Sequence, residues 1–127
     1  MTTNEPLLAL QWKGYPRVHA ARANLLIHIV TVPIFVGGTL AVVVGAASPI
    51  AGMPWTTSLA KAAGGLVAMV LAVAAQGAGH AREAERPEPF RGPGEVIARL
   101  VLEQWITFPR FVLTGGLARA LRASRRP

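Results

Sequence analysis

From Leu25 to Ala47 the chain reads LLIHIVTVPIFVGGTLAVVVGAA, 23 residues in which His28 is the only ionisable side chain. About 20 apolar residues in helix cross a bilayer core, so this run predicts a membrane span. Asn24, just before it, is a candidate N-cap. Pro33 would kink the helix, which membranes tolerate where neighbours satisfy the freed carbonyl. Ser48-Pro49 would end it. Residues 48–57 are uncharged, rich in Pro and Gly, and read as a loop. A second apolar run, Ala62 to Gly79, has 18 residues. Lys61 can snorkel at its start and Thr57 or Ser58 can lengthen it, giving a span over about residues 59–79. Its alanines and glycines favour close helix packing.

The third run, Val96 to Leu113, differs. It carries Arg99, Glu103, Gln104 and Arg110, with Pro109 near its end. Charges at mid-membrane are expensive, while Ile97, Leu100, Val101 and Trp105 fall on one helical face. The pattern predicts an interfacial helix over about 95–113. The expected fold is all-α and integral to a membrane: a two-span helical hairpin with amphipathic interfacial flanking helices, one domain over residues 1–127.

Composition and charge sharpen this. The 127 residues are 52% hydrophobic and only 15% charged, against about 25% charged for soluble domains. A chain this short has too small an interior to hide that much apolar surface. The net charge of +7 comes from 11 Arg and 2 Lys, yet no charged residue occurs from Ala23 to Ala60, a gap of 38. That distribution excludes a nucleic-acid binder. Lys13, Arg17 and Arg22 precede the first span, the 48–57 loop has no charge, and Arg82, Arg86, Arg91 and Arg99 follow the second span. The last nine residues, 119–127, hold four arginines. The positive-inside rule then puts both termini in the cytoplasm and the basic tail against anionic lipid. Glu5 and Pro6 argue against a cleavable leader. Trp12, Trp55 and Trp105 read as interface anchors.

Cysteine and aspartate are absent and all six acids are glutamates. Disulfides, thiolate sites and Asp-based triads are therefore excluded. The chemistry left rests on three histidines, His19, His28 and His80. The expected topology brings all three to the cytoplasmic face, His28 about one turn inside span one and His80 at the end of span two. His19 and His28 are nine residues apart, about 180° on an ideal helix, so the chain must bend between them for both to reach one ion. An imidazole site without thiolates suits iron, manganese or zinc. Two other readings stand beside it: a bis-His haem on His28 and His80, and a non-enzymatic membrane subunit or assembly protein whose histidines only pack. A homo-oligomer is compatible with the small-residue helices.

Two motifs carry a resemblance. The first is Tyr15…His19-x4-Asn24-x3-His28-x4-Pro33. The second is Gln76-x2-Gly79-His80-x2-Glu83, followed by Pro87-Glu88-Pro89-Phe90. Together with Glu103-Gln104-Trp105 and Phe108-Pro109-Arg110-Phe111, the chain over roughly residues 12–115 resembles the small integral-membrane family of 2-hydroxy fatty acid dioxygenases, whose fungal members degrade phytosphingosine to odd-chain fatty acids. The fungal pattern places an acid four residues after the Gly-His histidine. Here that position is Ala84, flanked by Glu83 and Glu85.

The resemblance implies an Fe(II)-dependent enzyme of the bacterial cytoplasmic membrane. It would use O₂ to shorten a 2-hydroxy fatty acid by one carbon. His19, His28 and His80 would be the metal ligands. The substrate's carboxylate and hydroxyl would take two further positions and O₂ the sixth, with the alkyl tail between the small-residue helices. Asn24 would bind substrate or orient His28, unless it only caps a helix. Glu83 would ligate iron, hold an imidazole or pair with Arg86. Arg110 would clamp a carboxylate or meet lipid phosphate. Gln76, one turn from His80, would be a polar bond between helices.

Overall fold

The computed structural model describes residues 5–125, and among these every regular element is helical. The order is α1 Leu7–Gly14, α2 Arg22–Ala47, a 3₁₀ turn Ser48–Ala51, α3 Trp55–His80 and α4 Pro93–Leu102. A π-helical segment Glu103–Thr107, α5 Phe108–Leu113 and α6 Gly116–Ala123 complete it. Residues 126 and 127 of the basic tail lie outside the described residues.

Two stretches, Arg22–Ala51 and Trp55–His80, are long and apolar enough to cross a membrane. Only 28% and 17% of their most apolar windows are buried inside the protein. Most of their surface is thus exposed, unlike that of a buried core helix. Val30, Val43, Val70 and Leu71 are all 58% exposed or more. α2 runs through Pro33, whose missing N–H falls on an exposed position. α3 begins at Trp55, about four residues before the expected start, directly after Pro54 in extended conformation. The expected 48–57 loop shrinks accordingly. Gly52, at φ 77°, turns the chain between the 3₁₀ segment and α3.

α2 and α3 pack antiparallel. Gly38 lies against Gly65 and Gly45 against Ala62, while Gln76 reaches Thr31 near the other end. A Cβ on Gly38 would fall 2.7 Å from the carbonyl oxygen of Gly65, and one on Gly45 would fall 2.7 Å from the amide of Ala62. Backbones this close gain dispersion contacts along the whole seam. They also leave no room for an alkyl chain, which corrects the expectation that a lipid tail lies between these helices.

The third run is not one regular helix. α4 begins at Pro93, and the ladder widens at Glu103, where the N–H of Phe108 donates to the carbonyl of Glu103, five residues back. Pro109 explains the site of this defect: it has no N–H for the carbonyl of Trp105, and its ring crowds that turn. Of the apolar face read from the sequence, Ile97, Val101 and Trp105 are each at least 40% exposed. Gln104, Thr107, Phe108 and Phe111 are buried instead. Phe108 and Phe111 join Tyr15, Leu25 and Val32 in the apolar core. Buried polar side chains, among them Asn24, Thr31, Gln76 and Gln104, lie beside this core, while many large apolar residues are exposed.

Candidate metal centre

Four side chains converge where α2 begins and α3 ends. His19 comes from the turn before α2, His28 from its second turn, His80 from the last residue of α3, and Glu103 from the first residue of the π segment. One ligand atom from each lies within 4.8 Å of all the others, and the group can hold a metal ion. Nε2 of His19 is 3.3 Å from Nε2 of His28. Glu103 Oε1 lies 3.1 Å from Nε2 of His19, 3.4 Å from that of His28 and 4.0 Å from that of His80. Donors about 2.0–2.1 Å from one ion stand roughly 3 to 4 Å apart, so these separations suit a shared cation.

The local fold makes this convergence. The chain bends through residues 15–21 before α2 starts at Arg22. That bend cancels the half-turn offset between His19 and His28. His19 Nδ1 lies 3.1 Å from the carbonyl oxygen of Tyr15, and His28 Nδ1 lies 3.0 Å from that of Asn24. A carbonyl only accepts, so both Nδ1 atoms carry the proton. In the neutral rings both Nε2 lone pairs then face the cluster and Glu103. A cation placed among these lone pairs and the Glu103 carboxylate would meet all of them. Outer hydrogen bonds that fix the tautomer are typical of ligating histidines.

Glu103 is held from behind. The Tyr15 hydroxyl donates to its Oε1 at 3.1 Å, and the Tyr15 ring stacks on His19 at 3.8 Å. Burial pushes the Glu103 carboxyl up, but positive charge in the cluster, with hydrogen bonds from His19 and His28 when those rings carry it, outweighs burial and holds the group well below the ordinary carboxylate range. Burial, and then the Glu103 charge, push the Tyr15 hydroxyl well above its usual value, so it remains a donor. The next residue, Gln104, exchanges amide bonds with Gln76: 2.7 Å from Gln104 Nε2 and 2.9 Å from Gln76 Nε2. Gln76 Nε2 also donates to Thr31 Oγ1 at 3.0 Å. The expected interhelical role of Gln76 is thus observed, with Gln104 as its principal partner.

The other expected site residues sit elsewhere. Asn24 is the third residue of α2, not its cap, since Ala21 holds that position. Its side-chain amide donates to Val18 O at 3.2 Å and Glu83 Oε1 at 2.7 Å, and its oxygen packs against Gly79. Asn24 serves His28 through its backbone carbonyl. Glu83 takes no place among the four donors. Its carboxylate accepts from the amides of Ala20 at 3.1 Å and Ala21 at 2.9 Å, capping α2 from the end of α3. A negative charge there also suits the positive end of the helix dipole. Arg110 is remote from the cluster, with its guanidinium 4.1 Å over the Trp12 ring. The sequence marked Glu103 as a charge spoiling a span and as part of the Glu103-Gln104-Trp105 stretch of the resemblance, but not as a donor. A carboxylate in an otherwise apolar run is itself a signal of function.

A cavity of about 940 Å³ adjoins the cluster, bounded by α1, the end of α3, the 81–90 segment and α4. His19, His80 and Glu103 line it together with Leu10, Val73, Val96 and Leu100, and charged side chains including Lys13, Arg86 and Glu88 line it as well.

No family model, no curated protein and no solved structure matches the chain.

Proposed function

We propose that the protein is an Fe(II)-dependent dioxygenase that removes the carboxyl carbon of a 2-hydroxy fatty acid: RCH(OH)COOH + O₂ → RCOOH + CO₂ + H₂O. The observation that carries the reading is the convergence of two tautomer-fixed Nε2 atoms and His80 on the ionised Glu103, beside the cavity. Iron is preferred to manganese or zinc because of the motif resemblance. The balance needs no flavin or nicotinamide, since the substrate supplies all four electrons. Bound iron would supply O₂ activation and polarisation of the hydroxy acid.

The chain's own residues bind and orient. His19, His28, His80 and Glu103 would hold the ion. With Glu103 as a fourth donor, two of six octahedral positions remain, one fewer than a three-histidine site leaves. The hydroxy acid would then be held through one oxygen, or Glu103 would give up its place to it. As a ligand, Glu103 would contribute charge and orientation. Tyr15 keeps Glu103 in place by donating to it.

The same reading puts α2 and α3 across the bacterial cytoplasmic membrane as a two-span hairpin. α1, α4 and α5 then lie at the cytoplasmic interface, with the arginines of α6 on anionic lipid. It accounts for the outward apolar face of α4 and the uncharged 48–57 turn. A bis-His haem lacks geometric support, because the His28 and His80 ring centroids are 5.1 Å apart with His19 packed against both.

The test is oxygen uptake by anaerobically purified, Fe(II)-loaded protein given 2-hydroxypalmitic acid. One CO₂ and one pentadecanoic acid per O₂ would support the assignment. No product with iron bound would refute it and favour a non-enzymatic subunit.

A further inference from the structure

The cavity wall holds a position where the protein has left out a side chain. Val73, Gln76, Gly77 and His80 all line the cavity from α3, at the i, i+3, i+4, i+7 spacing of one helical stripe. From α4 the matching stripe is Val96, Arg99, Leu100 and Glu103. Each stripe ends on a donor of the candidate metal centre, and each becomes apolar about 10 Å away, seven residues at 1.5 Å. Between His80 and Val73 stands Gly77, where an added Cβ would meet nothing within 4 Å. This glycine is unlike Gly38, Gly45, Gly65 and Gly79 on the helix seam, where a side chain would strike backbone or Asn24. Packing does not require it, and glycine in a helix interior is less favourable than alanine. Open space beside it is what its absent side chain provides.

We infer that Gly77 sets the ligand specificity of the site. A single alkyl chain lies in the cavity along α3 from His80 past Gly77 to Val73, between α3 and α4. The occupant is an amphiphile with an anionic head. The head meets the cluster; the lining also holds Arg86, and Arg17 paired with Glu85 at 3.8 Å. The tail lies against Val73, Val96 and Leu100. The seam between α2 and α3 is closed by its glycine contacts, so this is the apolar route that leads away from the histidines. The inference rests on the proposed reaction for the identity of the head group, and on the cavity alone for the path of the tail.

The test compares Gly77→Phe with Gly64→Phe. Gly64 lies on the same helix with equally open space, but outside the cavity. Two readouts are taken on iron-loaded protein: turnover of 2-hydroxypalmitic and 2-hydroxybutyric acids, and immobilisation of stearic acid carrying a nitroxide at carbon 12. The expected result for Gly77→Phe is unchanged iron content, at least tenfold weaker retention of labelled stearate and a tenfold loss on the long acid. The short acid changes less than twofold, and Gly64→Phe matches wild type on every measure. Labelled stearate held equally by wild type and Gly77→Phe would overturn the inference. Wild type that holds the labelled chain and loses it in Gly77→Phe, but turns over neither acid, would refute the proposed reaction and leave the tail path standing.

Discussion

Gln104 and Gln76 face each other across buried space and exchange amide hydrogen bonds of 2.7 and 2.9 Å. Neither is more than 3% exposed. The pair ties the π segment to α3, one residue beyond Glu103 and one turn before His80. Removing one partner strands the other's donors and acceptors, at a cost of about 1–3 kcal/mol. Gln104→Leu should therefore lower the unfolding midpoint and weaken metal binding together. Replacing both with leucine should recover most of the stability, since Thr31 still donates to Ile27 O at 2.8 Å. Thermal melts of the two single variants and the double variant, each paired with a metal titration, check this. Additive losses would show that the pair is not coupled.

Tyr15→Phe removes one hydroxyl and keeps the ring stacked on His19. Loss of an outer partner of a ligating group typically costs about 10–100-fold in metal affinity. We expect at least a tenfold weaker Fe(II) dissociation constant with little change in melting temperature. Unchanged affinity would remove Glu103 from the ligand set.

Glu83 and Arg110 separate structural roles from chemical ones. Glu83→Ala uncaps α2 and should cost roughly 1.5–3 kcal/mol, the range for hydrogen bonds to a charged group. Iron content at saturating metal should be unchanged. Arg110→Ala should leave turnover within twofold of wild type, because its guanidinium lies over Trp12. Steady-state kinetics and calorimetry of the two variants read these outcomes. A collapse of kcat in Arg110→Ala would show that the site extends past Trp12.

Neighbouring glycines should respond in opposite ways. Gly38→Ala would drive a Cβ into Gly65 and force α2 from α3, at about 1–3 kcal/mol for overpacking. Gly37→Ala meets open space and should be neutral or slightly stabilising. Equal melting temperatures for the two would mean that the helix seam is looser than described.

The two long helices were legible because membrane-length apolar runs need no tertiary information to recognise. The histidines were legible for a related reason: a polar ring in such a run has few uses. Glu103 was missed as a donor because its place depends on the widened turn before Pro109, a defect that heptad spacing does not reveal. The same widening hid the inward face of Gln104 and Thr107. Glu83 stood close in sequence to His80 and so drew the chemical role, yet three residues along a terminating helix carried it to the amides of Ala20 and Ala21. Arg110 invited a carboxylate reading on charge alone, and only the fold places it on Trp12.

The most direct test of the metal centre is iron content by mass spectrometry on gently solubilised, anaerobically purified protein, beside Glu103→Ala and His80→Ala. The account predicts about one iron per chain in the wild type and at least a tenfold lower content in each variant, with all three proteins inserting in the membrane. Wild type free of iron after Fe(II) reconstitution, or variants that keep it fully, would contradict the four-donor site.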